Sequence, residues 1–229
     1  MKHIVVLTGA GMSAESGLKT FRDSNGLWEG HDVMSVASPQ GFASNPGLVL
    51  DFYNERRRQL KDVEPNSAHS DLANLENDFK VSIVTQNVDD LHERAGSTNV
   101  LHLHGELRKI RSTGNDSDIK DWTEDINLGD VCENGHQLRP HIVWFGEDVP
   151  LIEDAITICE TADILMIIGT SMQVYPAAGL MNYVKLSTPI YFIDPNPAME
   201  SNRRLTVIAE PATVGIKTAI QIIKENVSE

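Results

Sequence analysis

The segment Thr8-Gly9-Ala10-Gly11-Met12-Ser13-Ala14 sets two glycines among small residues directly after the apolar run Ile4-Val5-Val6-Leu7. Read as G-x-G-x-x-A, it fits a turn whose backbone can approach a pyrophosphate at a helix N-terminus, where free N–H groups point at the anion. A tight strand-to-helix turn would look similar. Its position after an apolar strand favours nucleotide binding. A hydride-transferring dinucleotide domain would add a second strand ending in an acidic residue roughly 20 residues past the glycines. Here that zone reads Phe21-Arg22-Asp23-Ser24-Asn25-Gly26-Leu27-Trp28, which is polar and loop-like, and the next clear strand begins near Lys80. A long loop therefore stands where the nicotinamide half of a dinucleotide would lie. A loop bearing Phe21 and Arg22 over the cofactor suggests chemistry on the cofactor itself.

A second group with chemical potential is Tyr53 and Arg56 in Phe52-Tyr53-Asn54-Glu55-Arg56-Arg57-Arg58. Residues three apart share a helical face. A guanidinium holds a carboxylate through two parallel hydrogen bonds, and a phenol adds a third. Taken alone, the three arginines read first as a solvated basic face with Tyr53 packed beneath. The two cysteines, Cys132 and Cys159, give no disulfide framework.

The elements that must position these residues are short apolar strands at residues 3–8, 80–86, 100–104, 141–145, 163–169, 189–194 and 206–209. Several are apolar almost throughout, as strands covered on both faces require. Helices are predicted between them, at 46–60 with an Asn45 cap and Pro46 at its first position, and at 67–77, 151–161, 176–186 and 211–226. The alternation predicts an α/β fold, a doubly wound parallel Rossmann-like sheet with a smaller inserted lobe. Residues 1–28, 66–107 and 140–229 are expected to form the nucleotide-binding domain. Residues 29–65 and 108–139 break the alternation and are expected to form the lobe.

The 229 residues are long enough for one large core with such a lobe, and 41% are hydrophobic. The formal net charge of -14 argues against general nucleic-acid binding and suits neutral or basic partners such as Lys-rich polypeptides. No apolar stretch approaches membrane-spanning length, and the four apolar residues after Lys2 are too few for a signal peptide. A cytoplasmic monomer is the default expectation.

Beyond the glycine turn, Gly17-Leu18-Lys19-Thr20-Phe21-Arg22, Thr85-Gln86-Asn87-Val88-Asp89, His102-Leu103-His104-Gly105, His141-Ile142-Val143-Trp144-Phe145-Gly146-Glu147, Gly169-Thr170-Ser171 and Val174-Tyr175-Pro176-Ala177 closely resemble, in order and spacing, the signatures of the sirtuin family. The match spans nearly the whole chain. Leu18-Lys19 stands where the family usually has Ile-Pro. The resemblance implies a reaction in which NAD loses nicotinamide, the carbonyl oxygen of an acylated lysine attacks the ribose, and the acyl group leaves on ADP-ribose.

By that resemblance His104 is the general base, a role an imidazole fills near neutral pH. His102 is expected to face the other way in a structural role. Asn87 and Asp89 line the nicotinamide pocket, and Asn87 also suits holding a water near the reacting carbon. Gln86 contacts the adjacent ribose. Ala10, Phe21 and Arg22 border it. Gly9, Gly11, Ser13 and Ala14, with Gly169, Thr170 and Ser171, hold phosphates and ribose. Asp194 and Asn196 stand near the adenosine ribose, where the family usually has Asn then Glu, and Ala212 lies against adenine. Phe145, Gly146, Glu147 and Val174 belong to the two segments between which family substrates add a strand.

Sirtuins that prefer succinyl, malonyl or glutaryl lysine carry the Tyr-x-x-Arg pair, so Tyr53 and Arg56 imply an acidic-acyl pocket, with Ala37 leaving room for the longer chain. Acetyl groups would also fit. Most family members hold a structural zinc with two cysteine pairs. Here Arg111-Ser112-Thr113 replaces the first pair, and only Cys132 survives of the second. Zinc is therefore not expected, and packing around Ile119, Trp122 and Ile126 is expected to hold the lobe instead. An ADP-ribosyl transferase or NAD glycohydrolase on the same scaffold, and a nucleotide-binding module without turnover, remain the alternatives.

Overall fold

The computed structural model describes residues 1–19 and 27–228. Phe21 and Arg22 lie outside them. Six strands form the main sheet: β1 (His3–Thr8), β4 (Lys80–Thr85), β5 (Val100–His102), β9 (Ile164–Ile168), β10 (Ile190–Ile193) and β11 (Leu205–Ile208). All pair in parallel, in the order β11-β10-β9-β1-β4-β5. Counted along the chain this is 3-2-1-4-5-6, the doubly wound order, with its switch point between β1 and β9.

Side chains alternate across each strand, so both faces need cover. Ile4 and Val6 of β1 pack with Ile83, Met166 and Ile193 under α4 (Ser67–Leu75) and α7 (Ala212–Ser228). Val5 and Leu7 pack with Val84, Leu165, Ile167 and Phe192 under α6 (Ile152–Glu160). That two-sided burial is why these strands read as nearly unbroken apolar runs.

The smaller lobe contains a hairpin of β2 (Leu27–Trp28) and β3 (His31–Asp32), helices α1 (Val33–Val36), α2 (Pro39–Ser44) and α3 (Pro46–Gln59), and an antiparallel sheet. That sheet has β6 (Gly105–Ser112) between β7 (Ile119–Asp121) and β8 (Leu138–Ile142). The short helix α5 (Leu91–Arg94) follows β4. The cap on α3 forms as predicted: Asn45 Oδ1 accepts from the Leu48 N–H at 3.1 Å. Arg57 ties α3 to β6, donating from Nε to the Leu107 carbonyl at 2.9 Å and from Nη1 to Asn54 Oδ1 at 2.8 Å. Leu50, Ile110, Ile126, Cys132 and Leu138 form the lobe's inner core, with Trp122 against it. No helix among the described residues is long and apolar enough to cross a membrane.

Four expectations are corrected. The strand placed at 141–145 lies at Leu138–Ile142, and the longest strand, β6, carried no clear signal. Its sequence interleaves charges with Leu107 and Ile110, and a register shift between Glu106 and Ile110 breaks the period of two. The helix expected at 176–186 is a 3-10 segment, Ala177–Asn182. Ile119 is 44% exposed and takes no part in the lobe core. The glycine turn leads into two 3-10 turns, Ala10–Met12 and Ala14–Ser16, closed by Gly17 at φ 98°, and not into an α-helix.

The glycines of that turn serve backbone contact. Gly11 N–H donates to the Gly169 carbonyl at 2.8 Å, and Gly9 N–H to the Ile168 carbonyl at 3.1 Å. A Cβ on Gly11 would sit 2.7 Å from Gly169 Cα, and Gly169 itself has φ 61°. Gly11→Ala should therefore cost roughly 1–3 kcal/mol through forced backbone shifts. Urea unfolding that shows no loss would mean the two turns can separate freely.

Candidate functional site

Two adjoining cavities open where the turns after the parallel strands meet, the usual ligand position in an open α/β sheet. The first, about 600 Å³, is walled by Gly9, Ala10, Gly11 and Ala14 after β1 and by Gly169, Thr170 and Ser171 after β9. Asp194 and Asn196 after β10 and Ala212 at the start of α7 complete it. The second, about 240 Å³, reaches into the lobe and is walled by Ser13, Ala37, Tyr53, Arg56, Asp89, Gly146 and Glu147. Ala10, Gln86, Asn87, His104, Phe145 and Val174 line both. Every described residue expected at the site thus borders one cavity or the other, and the residues expected to react stand at the junction.

The junction is built from the ends of β4 and β5. His104 Nδ1 lies 3.2 Å from the Gln86 carbonyl. A carbonyl only accepts, so this nitrogen carries the proton and Nε2 keeps its lone pair. Burial lowers the His104 pKa, partly opposed by that hydrogen bond, so the ring is a neutral acceptor at physiological pH. His102 was expected on the opposite face. Strand β5 ends at His102 and His104 lies in the turn after it, so strand alternation does not relate the two. Both rings meet the 86–87 backbone, and His102 Nδ1 lies 3.0 Å from the Asn87 carbonyl.

Ser13 organises the floor. Its hydroxyl donates to Asp89 Oδ2 at 2.9 Å and accepts from Asn87 Nδ2 at 3.1 Å. His69 Nε2 approaches the same oxygen at 3.4 Å. Burial pushes the Asp89 carboxyl above its ordinary value, against the pull of the Leu91 N–H and the Ser13 hydroxyl. His69 Nδ1 accepts from the Asn66 N–H that it helps to cap, so Nε2 bears the proton. Gln86 Nε2 donates to Thr170 Oγ1 at 3.1 Å, spanning from β4 to the turn after β9. Asp194 Oδ1 accepts from the Asn196 N–H at 2.8 Å. Glu15, which carried no sequence signal, lines the larger cavity and accepts from Thr213 N–H and Oγ1 at 3.0 and 2.7 Å.

At the lobe end, sequence reasoning passes over Trp144. Its indole Nε1 donates to the buried Tyr53 Oη at 3.0 Å. Its backbone N–H donates to Glu147 Oε2 at 2.8 Å, and the Arg139 guanidinium stacks 3.3 Å over its ring. The Glu147 carboxylate also pairs with Arg139 at 2.6 Å and Arg111 at 3.2 Å. Glu147 was expected to meet substrate, yet its carboxylate is already committed to holding the Trp144–Glu147 loop. The three arginines of α3 are not one solvated face. Arg57 is buried, and Arg58 pairs with Asp125 at the surface. Arg56 lies over Phe52 and donates from one Nη to Glu55, while its Nε and Nη1 are buried with no partner among the described residues.

Two outcomes follow. Glu147→Ala takes the carboxylate from two buried guanidinium groups, leaving Arg139 only the Ile142 carbonyl and Arg111 that carbonyl and the exposed Asp116, and should cost about 3 kcal/mol; a urea midpoint within error of wild type would show that these remaining partners suffice. Burial lowers the folded-state pKa of His69 to about 4. Between about pH 6.5 and 4 the unfolded chain therefore binds the extra proton and the folded one does not, so stability falls as pH drops through that window. Thermal melts of His69→Gln should show a shallower loss there, and an unchanged slope would assign the acid sensitivity elsewhere.

The sequence profile of the Sir2 family matches residues 9–176. An NAD-dependent protein deacylase of Helicobacter pylori (strain ATCC 700392 / 26695) is 60% identical over 195 residues, 85% of each chain. An NAD-dependent protein deacylase of Bacteroides thetaiotaomicron is 50% identical over 230 residues, 97% of this chain and 98% of that one. A solved Sir2 homologue in complex with NAD superposes with a TM-score of 0.87 at 37% identity, over 98% of this chain and 90% of the other. With a profile match across most of its length and relatives at this identity, the chain belongs to the Sir2 family, the sirtuins.

Proposed function

We propose that this protein is an NAD-dependent protein-lysine deacylase that removes acidic acyl groups such as succinyl and malonyl, and also acetyl, releasing nicotinamide and O-acyl-ADP-ribose. The observation that carries the reading is the shared wall: His104 and Asn87 stand where a cavity edged by phosphate-cradling turns meets one ending in Arg56. The named relatives are NAD-dependent protein deacylases, and a Sir2 homologue of the same fold has been solved with NAD, which supports a role for NAD here.

NAD, when bound, supplies the glycosidic bond to nicotinamide whose cleavage accompanies acyl transfer. The turns after β1 and β9 offer backbone N–H groups and the Thr170 and Ser171 hydroxyls for its phosphates and ribose. Asp194, Asn196 and Ala212 would take the adenosine end, and Gln86 the inner ribose. Asn87 Oδ1 takes no hydrogen bond from a described residue, which leaves it to receive an amide or orient a water. His104 Nε2 accepts the proton of a ribose hydroxyl. Phe145–Gly146–Glu147 and Val174 flank the mouth and suit an added peptide strand. An acylated-lysine protein is the expected partner, and the charge of -14 favours Lys-rich segments over nucleic acid. We read the protein as acting alone, away from membranes.

The acidic preference rests on unmet donors. Two Arg56 nitrogens are buried without partners among the described residues. Because Trp144 donates to Tyr53 Oη, the phenol's own proton is left for a ligand. A terminal carboxylate would satisfy both groups. Ala37 keeps the wall small. Zinc does not fit the lobe. A tetrahedral site takes four Cys or His ligands, whereas Arg111 is paired to Glu147 and Ser112 donates to Cys132 Sγ at 3.3 Å.

Nicotinamide release should be measured with one lysine peptide, unmodified, acetylated or succinylated. Succinyl-dependent release should fall roughly ten- to hundredfold in Arg56→Met, the worth of a charge-assisted hydrogen-bond pair. His104→Ala should lose about 10²–10⁴-fold while NAD affinity holds. Acetyl preference in the wild type would reject the acidic pocket. Release without any acyl group would point to a glycohydrolase or ADP-ribosyl transferase.

A further inference from the structure

His102 has no place in the reaction as described, yet its surroundings are specific. It is nearly buried, and both ring nitrogens face atoms that only accept. Nδ1 lies 3.0 Å from the Asn87 carbonyl oxygen, and Nε2 lies 2.7 Å from Glu93 Oε1 on α5. A neutral imidazole has a single N–H and cannot serve both. The ring is therefore an imidazolium, donating once to each.

Its donation to Asn87 completes the grip on that residue. The Asn87 N–H donates to Thr85 Oγ1 at 3.0 Å, and its Nδ2 donates to Ser13 at 3.1 Å. With the carbonyl held as well, Oδ1 in the cavity wall is the Asn87 atom that takes no hydrogen bond among the described residues.

We propose that His102 and Glu93 form a positioning dyad, an imidazolium–carboxylate pair that holds the Asn87 carbonyl and thereby aims the Asn87 amide into the reacting junction. The proposal rests on the reading of that junction as the site of nicotinamide release. His102 does not touch the reacting atoms; it acts through Asn87.

The dyad has a pH signature. Glu93 and His92 face His102 from α5, Glu106 from β6, and Asp89 from the loop after β4. Burial disfavours the charged ring, and the Glu93 carboxylate with Glu106 outweighs it, so the His102 pKa is raised. His92 is held neutral by its own burial. Above the raised value one proton leaves. The carboxylate keeps the Nε2–H, so the Nδ1 lone pair then faces the Asn87 carbonyl oxygen, and the two repel. Catalysis should therefore fall on the alkaline side through His102, while His104, with its lowered pKa, governs the acid side. Glu93→Gln breaks the link: the new amide can donate to Nε2, leaving a neutral ring that still donates from Nδ1 to Asn87.

The test is nicotinamide release from NAD with a succinylated peptide across pH 6–10, paired with ¹⁵N-histidine NMR of the intact protein. The wild type should show His102 as an imidazolium at pH 7. Its alkaline limb should track the His102 titration, and that limb should vanish in Glu93→Gln. His102→Leu should lose about tenfold at pH 7, more in the turnover constant than in KM. A limb that stays put in Glu93→Gln, or a neutral His102 at pH 7, would overturn the dyad. A merely structural His102 would lower the melting temperature without moving the limb. Should the wild type release no nicotinamide, the deacylase reading falls by itself. The Asn87 side-chain resonance then decides: moving with the His102 titration supports the dyad, and standing still overturns it.

Discussion

The site depends on one close approach. The turns after β1 and β9 touch backbone to backbone, with Gly11 N–H on the Gly169 carbonyl and no room for a Cβ on Gly9, Gly11 or Gly169. These strands flank the switch point of the sheet, where connections leave in opposite directions and a crevice must open. Had the turns stood a side chain apart, Gln86 could not span from β4 to Thr170, and the larger cavity would lose its floor. The glycines therefore act first as packing residues and only then as the cradle the motif suggests.

The lobe solves a different problem, since its sheet is small and much of its surface polar. Glu147 joins Arg139 and Arg111, one from each long lobe strand. Charges taken out of water gain little net stability, but they are costly to misplace, so such a cluster fixes geometry more than it adds free energy. Here the geometry continues into Trp144, whose backbone the same carboxylate accepts from and whose indole N–H sets the Tyr53 phenol. The shape of the smaller cavity's inner end is in this way tied to the frame of the lobe. In the zinc-free reading, that cluster and the Cys132–Ile126–Leu138 core share the holding of strands that a metal would otherwise clip.

The main sheet was legible because two-sided burial leaves an unambiguous signal: Ile4–Leu7 and Ile164–Ile168 can hardly be anything else. Strand β6 was not, because Glu106, Arg108 and Lys109 interrupt it and a bulge resets its alternation. The site residues were legible as types in recurring spacings, and the described ones border the two cavities. What spacing cannot carry is partnership. Nothing in Phe145-Gly146-Glu147 tells that the glutamate turns back to Arg139, nor in Arg56-Arg57-Arg58 that one arginine is pinned in the core, one paired at the surface and one left with two nitrogens that meet no partner among the described residues. Those assignments are set by elements far away in sequence, and only the fold supplies them.

The pair His102 and His104 shows the same limit at its sharpest. Both rings donate through Nδ1 to neighbouring carbonyls, Asn87 and Gln86; His102 is buried and His104 half-buried. Burial alone would make each neutral. The difference is the second nitrogen. For His102 it meets a carboxylate, which completes the ring's protonation and ties it down. For His104 it meets the cavity, which leaves a lone pair in reach of a substrate. One neighbour, Glu93, thus separates the histidine that holds the scaffold from the histidine that can take a proton, and the distinction lies in what the far side of each ring touches, not in the residue type.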